Sequence, residues 1–177
     1  MRTMAIQKMA LMLLLSLSLG GCTTMGKMAK VAANPDIQVG SDDSQPSTVS
    51  FSLVGEPEMN PGESGDASPV EFQIVMLAED SRLLASDYDQ VTTDLPKALA
   101  KNYLDHQDYT LLPGQFKYLP PAELDKKTRY IGVIAHYADP DSAQWRKVIP
   151  VKSTGRHYQV LVHLRMDEVD LQPQTEE

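Results

Sequence analysis

The residue in the most distinctive chemical setting is Cys22, the only cysteine among 177 residues. It directly follows Leu19-Gly20-Gly21, where two glycines leave the narrow backbone that a processing peptidase needs. The other candidates for chemistry are His106, His136, His157 and His163. His157 and His163 fall on one face of a strand, but six residues at about 3.3 Å each place them ~20 Å apart, too far to share a metal. His136 alternates with Ala135 and Tyr137 in an apolar stretch and reads as a hydrogen-bonded structural histidine. Carboxylates are abundant, yet spacing singles out no pair as acid and base. There is no Gly-x-Ser-x-Gly, phosphate-binding loop, dinucleotide fingerprint or His-Glu-x-x-His helix. The chain therefore does not read as an enzyme, and neither a metal nor a soluble cofactor is expected.

The residues before Cys22 explain its setting. Arg2 and Lys8 precede the apolar run Met9 to Leu19, and the order positive, apolar, small is that of an export signal. The run has about 11 residues, whereas a membrane span needs roughly 20. Leu19-Gly20-Gly21-Cys22 resembles the lipobox of bacterial lipoproteins. That resemblance implies removal of residues 1–21, diacylglycerol on the Cys22 sulfur and acylation of the new amine. Thr23, rather than an aspartate, then implies the outer membrane. With its one thiol carrying lipid, the chain has none left for a disulfide, a thiolate metal site or catalysis.

Removing residues 1–21 leaves 156, enough for one domain, and shifts the formal charge from −8 to −10 because two basic residues leave with the signal. An acidic exported domain is expected to avoid nucleic acid and the anionic face of a membrane. The charge is uneven: twelve acidic residues and only Arg82 lie between Asp36 and Asp89, while eight basic residues lie between Lys117 and Arg156. Such asymmetry is either a handle for a partner or two ordinary solvated faces. Residues 22–46 are small and polar, with Asn34-Pro35 and Gly40 to Pro46, and read as a lipid-anchored flexible tether reaching about 25 to 30 Å.

Beyond the tether the pattern has period two. Val49, Phe51 and Leu53 alternate with polar residues, as do Val70, Phe72, Ile74 and Met76, which predicts two strands joined as a hairpin by an unusually long loop. Ser81 to about Asp89 and Leu95 to Leu104 read as short helices, the second capped by Asp94. Further strands are expected at Asp108 to Leu112, Phe116 to Leu119, Arg129 to Tyr137, with apolar residues on both faces, and Trp145 to Val151. In a last strand Tyr158, Val160, Val162, Leu164 and Met166 face inward; Val169 and Leu171 have the other parity, so the strand must end or bulge near Asp167. Seven strands with little helix predict a mainly β chain, a β-sandwich over 47–172 with one or two short helices inserted and a polar tail at 173–177.

Leu112-Pro113-Gly114-Gln115, Tyr130 to Tyr137, an acidic turn and Trp145-Arg146, in this order, resemble the type VI secretion system outer-membrane lipoprotein family, TssJ. The likeness runs from the lipobox to about Leu171; Ala138 and Gln115 depart from the family's pattern. It implies a transthyretin-like sandwich, held in the outer membrane and facing the periplasm, that binds the periplasmic C-terminal domain of the inner-membrane protein TssM. It also implies that the loop after the first strand touches that partner, which makes Glu56, Pro57, Glu58, Met59, Asn60, Pro61 and Glu63 the candidate contacts. Residue chemistry agrees: the prolines limit the entropy lost on ordering, Met59 offers an adaptable apolar contact and the glutamates suit basic groups. With no apolar period, the loop is expected to add little to the core, and a merely solubilising loop remains open. Two other functions remain open as well: a lipid-anchored small-ligand carrier, which needs an enclosed apolar cavity, and a general envelope-stabilising lipoprotein.

Overall fold

The computed structural model describes residues 44–175; Cys22, the export signal and most of the expected tether lie outside the described residues. Eight strands form the sandwich: β1 (Thr48–Gly55), β2 (Val70–Leu77), β3 (Tyr103–Leu111), β4 (Phe116–Glu123), β5 (Tyr130–His136), β6 (Arg146–Pro150), β7 (His157–Leu164) and β8 (Val169–Thr175). Between β2 and β3 come three short helices, α1 (Ser81–Ala85), α2 (Tyr88–Thr93) and α3 (Leu95–Leu99), and a 3-10 turn. One sheet has the order β4-β1-β7-β8 and the other β3-β2-β5-β6. All pairs are antiparallel except β1 with β7.

β1 and β2 therefore lie in different sheets and do not form the expected hairpin. Facing sheets are about 10 Å apart, a gap that a two-residue turn cannot cross but residues 56–69 can. Alternation along β1, β2 and β7 sends Val49, Phe51, Leu53, Val70, Phe72, Ile74, Val160, Val162 and Leu164 into one core between the sheets. β7 stops at Leu164, and a turn closed by Arg165 N–H donating to Glu168 C=O (2.8 Å) replaces its expected continuation. Met166 is thus exposed rather than inward, while Val169 and Leu171 return to the core on β8. The sandwich also exceeds its expected bounds. Gln45 C=O accepts from Gly155 N–H (2.9 Å), and Pro173, Gln174 and Thr175 pair with β7 instead of forming a tail.

The helices cover the outer face of the second sheet. Leu83, Val91, Leu95 and Leu99 pack on Val75, Leu77 and Ile134, which is why β5 is buried on both faces as its sequence indicates. Gly132 permits the approach, since a Cβ there would lie 2.9 Å from Leu83 Cδ2. Asp94 caps α3 through Lys97 N–H (3.1 Å), but the helix ends at Leu99 because Ala100 takes φ 48° and the chain turns into β3. Leu104, expected in a helix, is in a strand. Leu83→Ala should therefore lower stability by about 2 to 5 kcal/mol, whereas Leu84→Ala, on the exposed side of α1, should stay within about 0.5 kcal/mol. Denaturant midpoints of the two variants test the helix-to-sheet assignment.

Candidate partner-binding site

Four connections, β1–β2, β3–β4, β5–β6 and β7–β8, gather at one end of the sandwich. Together residues 56–69, 112–115, 137–145 and 165–168 carry eight Asp or Glu and a single basic residue, Arg165. That arginine is committed to its own end: it lies 3.7 Å from Glu56, 3.8 Å from Glu168 and 3.8 Å from Asp170. His163 Nε2 also meets Glu56 Oε1 at 3.1 Å. The Gln172 side-chain amide, donating at 2.6 Å, holds the Asp170 carboxyl below the usual carboxylate range. The remaining carboxylates give this end a strongly negative field.

The β1–β2 loop is a built structure. Glu56 N–H donates to Leu164 C=O (2.9 Å), and Glu56 C=O accepts from Met59 N–H (3.2 Å) and Gly114 N–H (3.3 Å). Met59 is 0 % exposed and belongs to the main core. Its sulfur sits so close to Gly55 that a Cβ there would be 2.8 Å from it. Asn60, 5 % exposed and at φ 50°, donates through Nδ2 to Ser68 Oγ (2.8 Å) and Pro69 C=O (2.9 Å) and accepts from Ala138 N–H at Oδ1 (2.7 Å). Asn60 N–H donates to Met166 C=O (2.9 Å), so one residue ties together the β1–β2, β5–β6 and β7–β8 connections. Farther out, Gly65 at φ 82° closes a turn onto Gly62.

These contacts divide the seven candidate residues. Pro57, Glu58 and Glu63 are exposed, Pro61 and Glu56 are half-buried, and Met59 and Asn60 face inward as the loop's internal supports. The expectation that the loop adds little to the core fails at Met59, because one large side chain can enter a core without any periodicity around it. Sequence reading missed the neighbours of this loop. Leu112 and Phe116, the latter 63 % exposed, flank the β3–β4 turn, which Gly55 N–H joins to the loop through Gln115 C=O (2.9 Å). Their apolar type was visible, but nothing in a strand-like run marked them as outward-facing.

Elsewhere, His136 packs edge-on against Tyr88 with ring centroids 6.0 Å apart, and burial lowers its pKa. Arg146 stacks over Trp145 and donates to the Leu83 (2.9 Å) and Ser86 carbonyls, clamping the helices to β6. Among the described residues no group of His, Cys, Asp and Glu is placed to hold a metal. No described helix is long and apolar enough to cross a membrane.

Residues 47–167 match the family model for type VI secretion lipoproteins, described as VasD, EvfM, TssJ, VC_A0113. The chain belongs to the TssJ family of type VI secretion lipoproteins. Comparison with curated proteins gives no match. Among solved structures the lipoprotein TssJ1 of Pseudomonas aeruginosa superposes with a TM-score of 0.70 at 26% identity, over 75% of this chain and 99% of that one. A chain of a type VI membrane complex gives 0.64 at 22% identity, over 73% and 100% of the two chains. A chain described as the T6SS protein TssM C-terminal domain from EAEC gives 0.57 at 20% identity, over 72% and 98%. The fold is the transthyretin-like sandwich of TssJ, and the protein is a structural lipoprotein of the secretion system, not an enzyme.

Met59→Ala should cost about 2 to 5 kcal/mol as a buried large-to-small change, while Glu58→Ala should stay within about 0.5 kcal/mol. Equal thermal denaturation midpoints for the two variants would contradict the inward placement of Met59.

Proposed function

We propose that this TssJ-family lipoprotein is held in the outer membrane by diacylglycerol and an N-acyl chain on Cys22, and binds the periplasmic C-terminal domain of the inner-membrane protein TssM through the β1–β2 loop and its neighbours. The observation that carries the reading is the excess of eight carboxylates over one arginine on a loop end already fixed by internal hydrogen bonds. A fixed surface loses little entropy on binding, and a single-sign field selects a basic partner and speeds its approach. The solved structures of a type VI membrane complex and of a TssM C-terminal domain support the choice of partner, because each contains a chain of this fold. Geometry supports the orientation. Gln45 to Ser47, where the chain joins the sandwich, lie at the start of β1 and the loop follows its end, so eight residues at about 3.3 Å separate anchor side and docking side by ~25 Å.

Glu58→Lys combined with Glu63→Lys should weaken binding to the TssM periplasmic domain roughly tenfold, equivalent to about 1.4 kcal/mol. The loss should lie mainly in association rate and should shrink as salt rises. Calorimetry and immobilised-partner kinetics measure both. An affinity unchanged within about a factor of two would move the contact away from the loop.

Cys22→Ser should abolish lipid attachment, because a hydroxyl is a far weaker nucleophile than a thiolate. The intact mass of membrane-extracted protein reads this directly. An unchanged lipid mass on the variant would remove Cys22 as the attachment point.

A further inference from the structure

Two connections at the end of the sandwich opposite the loops carry a basic cluster. The β4–β5 and β6–β7 connections, residues 124–129 and 151–156, contain Lys126, Lys127, Arg129, Lys152 and Arg156 against one acidic residue, Asp125. All five cations are exposed. Among the described residues none of them lies within ion-pairing distance of a carboxylate, although acidic residues such as Glu79 and Glu123 end strands or begin turns at the same end. Arg129 instead donates to the Lys126 carbonyl (2.8 Å) and to Ser153 Oγ (3.0 Å), and Ser153 Oγ donates on to Lys126 C=O (3.0 Å). These bonds hold the two connections side by side.

The segment that joins the sandwich to the preceding residues is bonded into the same cluster. Ser47 N–H donates to Ser153 C=O (2.9 Å), Ser47 C=O accepts from Leu124 N–H (2.8 Å) and Ser47 Oγ accepts from Arg156 N–H (3.1 Å). The five cations, none of them ion-paired among the described residues, therefore lie around the point from which the chain runs back toward Cys22. We infer that this basic end is a docking surface for the phosphate-bearing headgroups of anionic phospholipid, which seats the domain on the membrane with its acidic loops turned away.

The inference rests on the lipid-anchor reading, since only an anchor places this end next to a bilayer. The charge and placement of these residues favour lipid as the occupant. Among the described residues the cations pair with no carboxylate, they sit where the anchored segment arrives, and they occupy short turns that present charge at the surface. The acidic net charge, −10 once residues 1–21 are removed, argued against an anionic surface, but net charge does not act at contact distance. At about the Debye length the near end dominates, and the acidic loops are ~25 Å away.

The test uses the full chain with Cys22→Ser, so that no acyl chain contributes, and sedimentation with vesicles of phosphatidylcholine alone or mixed with phosphatidylglycerol. The signal segment is common to every variant, so differences among variants report the domain. Tighter binding to the phosphatidylglycerol vesicles is expected, weakening about fivefold for each of Lys126→Gln and Lys152→Gln. Raised salt should suppress the preference, while Glu58→Gln should leave it unchanged. A phosphatidylglycerol preference that survives both lysine substitutions, or equal binding to the two vesicle types, would overturn the assignment. Lipid on wild-type Cys22 is read separately by intact mass, so a failure of the anchor and a failure of the basic surface give different results.

Discussion

Buried hydrogen-bonding groups must find partners, and two such knots at the ends of β1 fix where everything else can go. At one end Ser47, 0 % exposed, satisfies its N–H, C=O and hydroxyl with Ser153, Leu124 and Arg156. At the other, Asn60 satisfies its amide with Ser68, Pro69 and Ala138. Each lost partner would leave a buried polar group unpaired, at about 1 to 3 kcal/mol. Between the knots β1 is the strand that pairs with β4 on one side and β7 on the other. The same bonds that secure the fold also position the acidic loops and the basic turns.

The two long sides of the sandwich are finished differently. On one, β6 and β8 are stitched together: Gln144 N–H donates to Asp167 C=O (2.8 Å), Val169 N–H to Gln144 C=O (3.1 Å), and Lys147 lies 3.9 Å from Glu168. On the other, the edges of β3 and β4 stand apart over a groove of about 680 Å³ lined by Phe51, Ile74, Met76, Tyr109 and Leu119 among others. Pro120 and Pro121 on β4, and exposed Asp105 and Gln107 on β3, guard those edges against pairing with another strand. The deep walls Val49, Phe51 and Ile74 are already buried by the opposing sheet, so the groove is a guarded edge and not the enclosed chamber that a small-ligand carrier requires.

Where the sequence was readable, one physical signal dominated. Val49-x-Phe51-x-Leu53 and Val160-x-Val162-x-Leu164 each have a wet face and a dry face, so strand and orientation are both legible. Edge strands lose that signal. β3 begins at Tyr103 and β4 continues through Pro120-Pro121 to Glu123, both longer than expected, because polar residues and prolines are tolerated where one side of the ladder is open. The family was legible from the order of short motifs. The roles of Met59 and Asn60 were not, since each depends on residues brought near by folding: the buried core between the sheets for Met59, Ala138 and Met166 for Asn60. The charge polarity was half legible. The sequence showed an acidic stretch and a basic stretch but not that alternate turns sort them to opposite ends.

Opposite charges held ~25 Å apart on a rigid body make an electric dipole, and a dipole in a field feels a torque as well as a pull. Most collisions between two proteins fail because the wrong faces meet, which is why ordinary association falls well below the diffusion limit. Torque corrects that error in flight: as a positively charged surface approaches, the sandwich rotates to bring its acidic turns forward before any contact is made. The charge pattern would thus raise the fraction of productive encounters even when it adds little to the strength of the bound state.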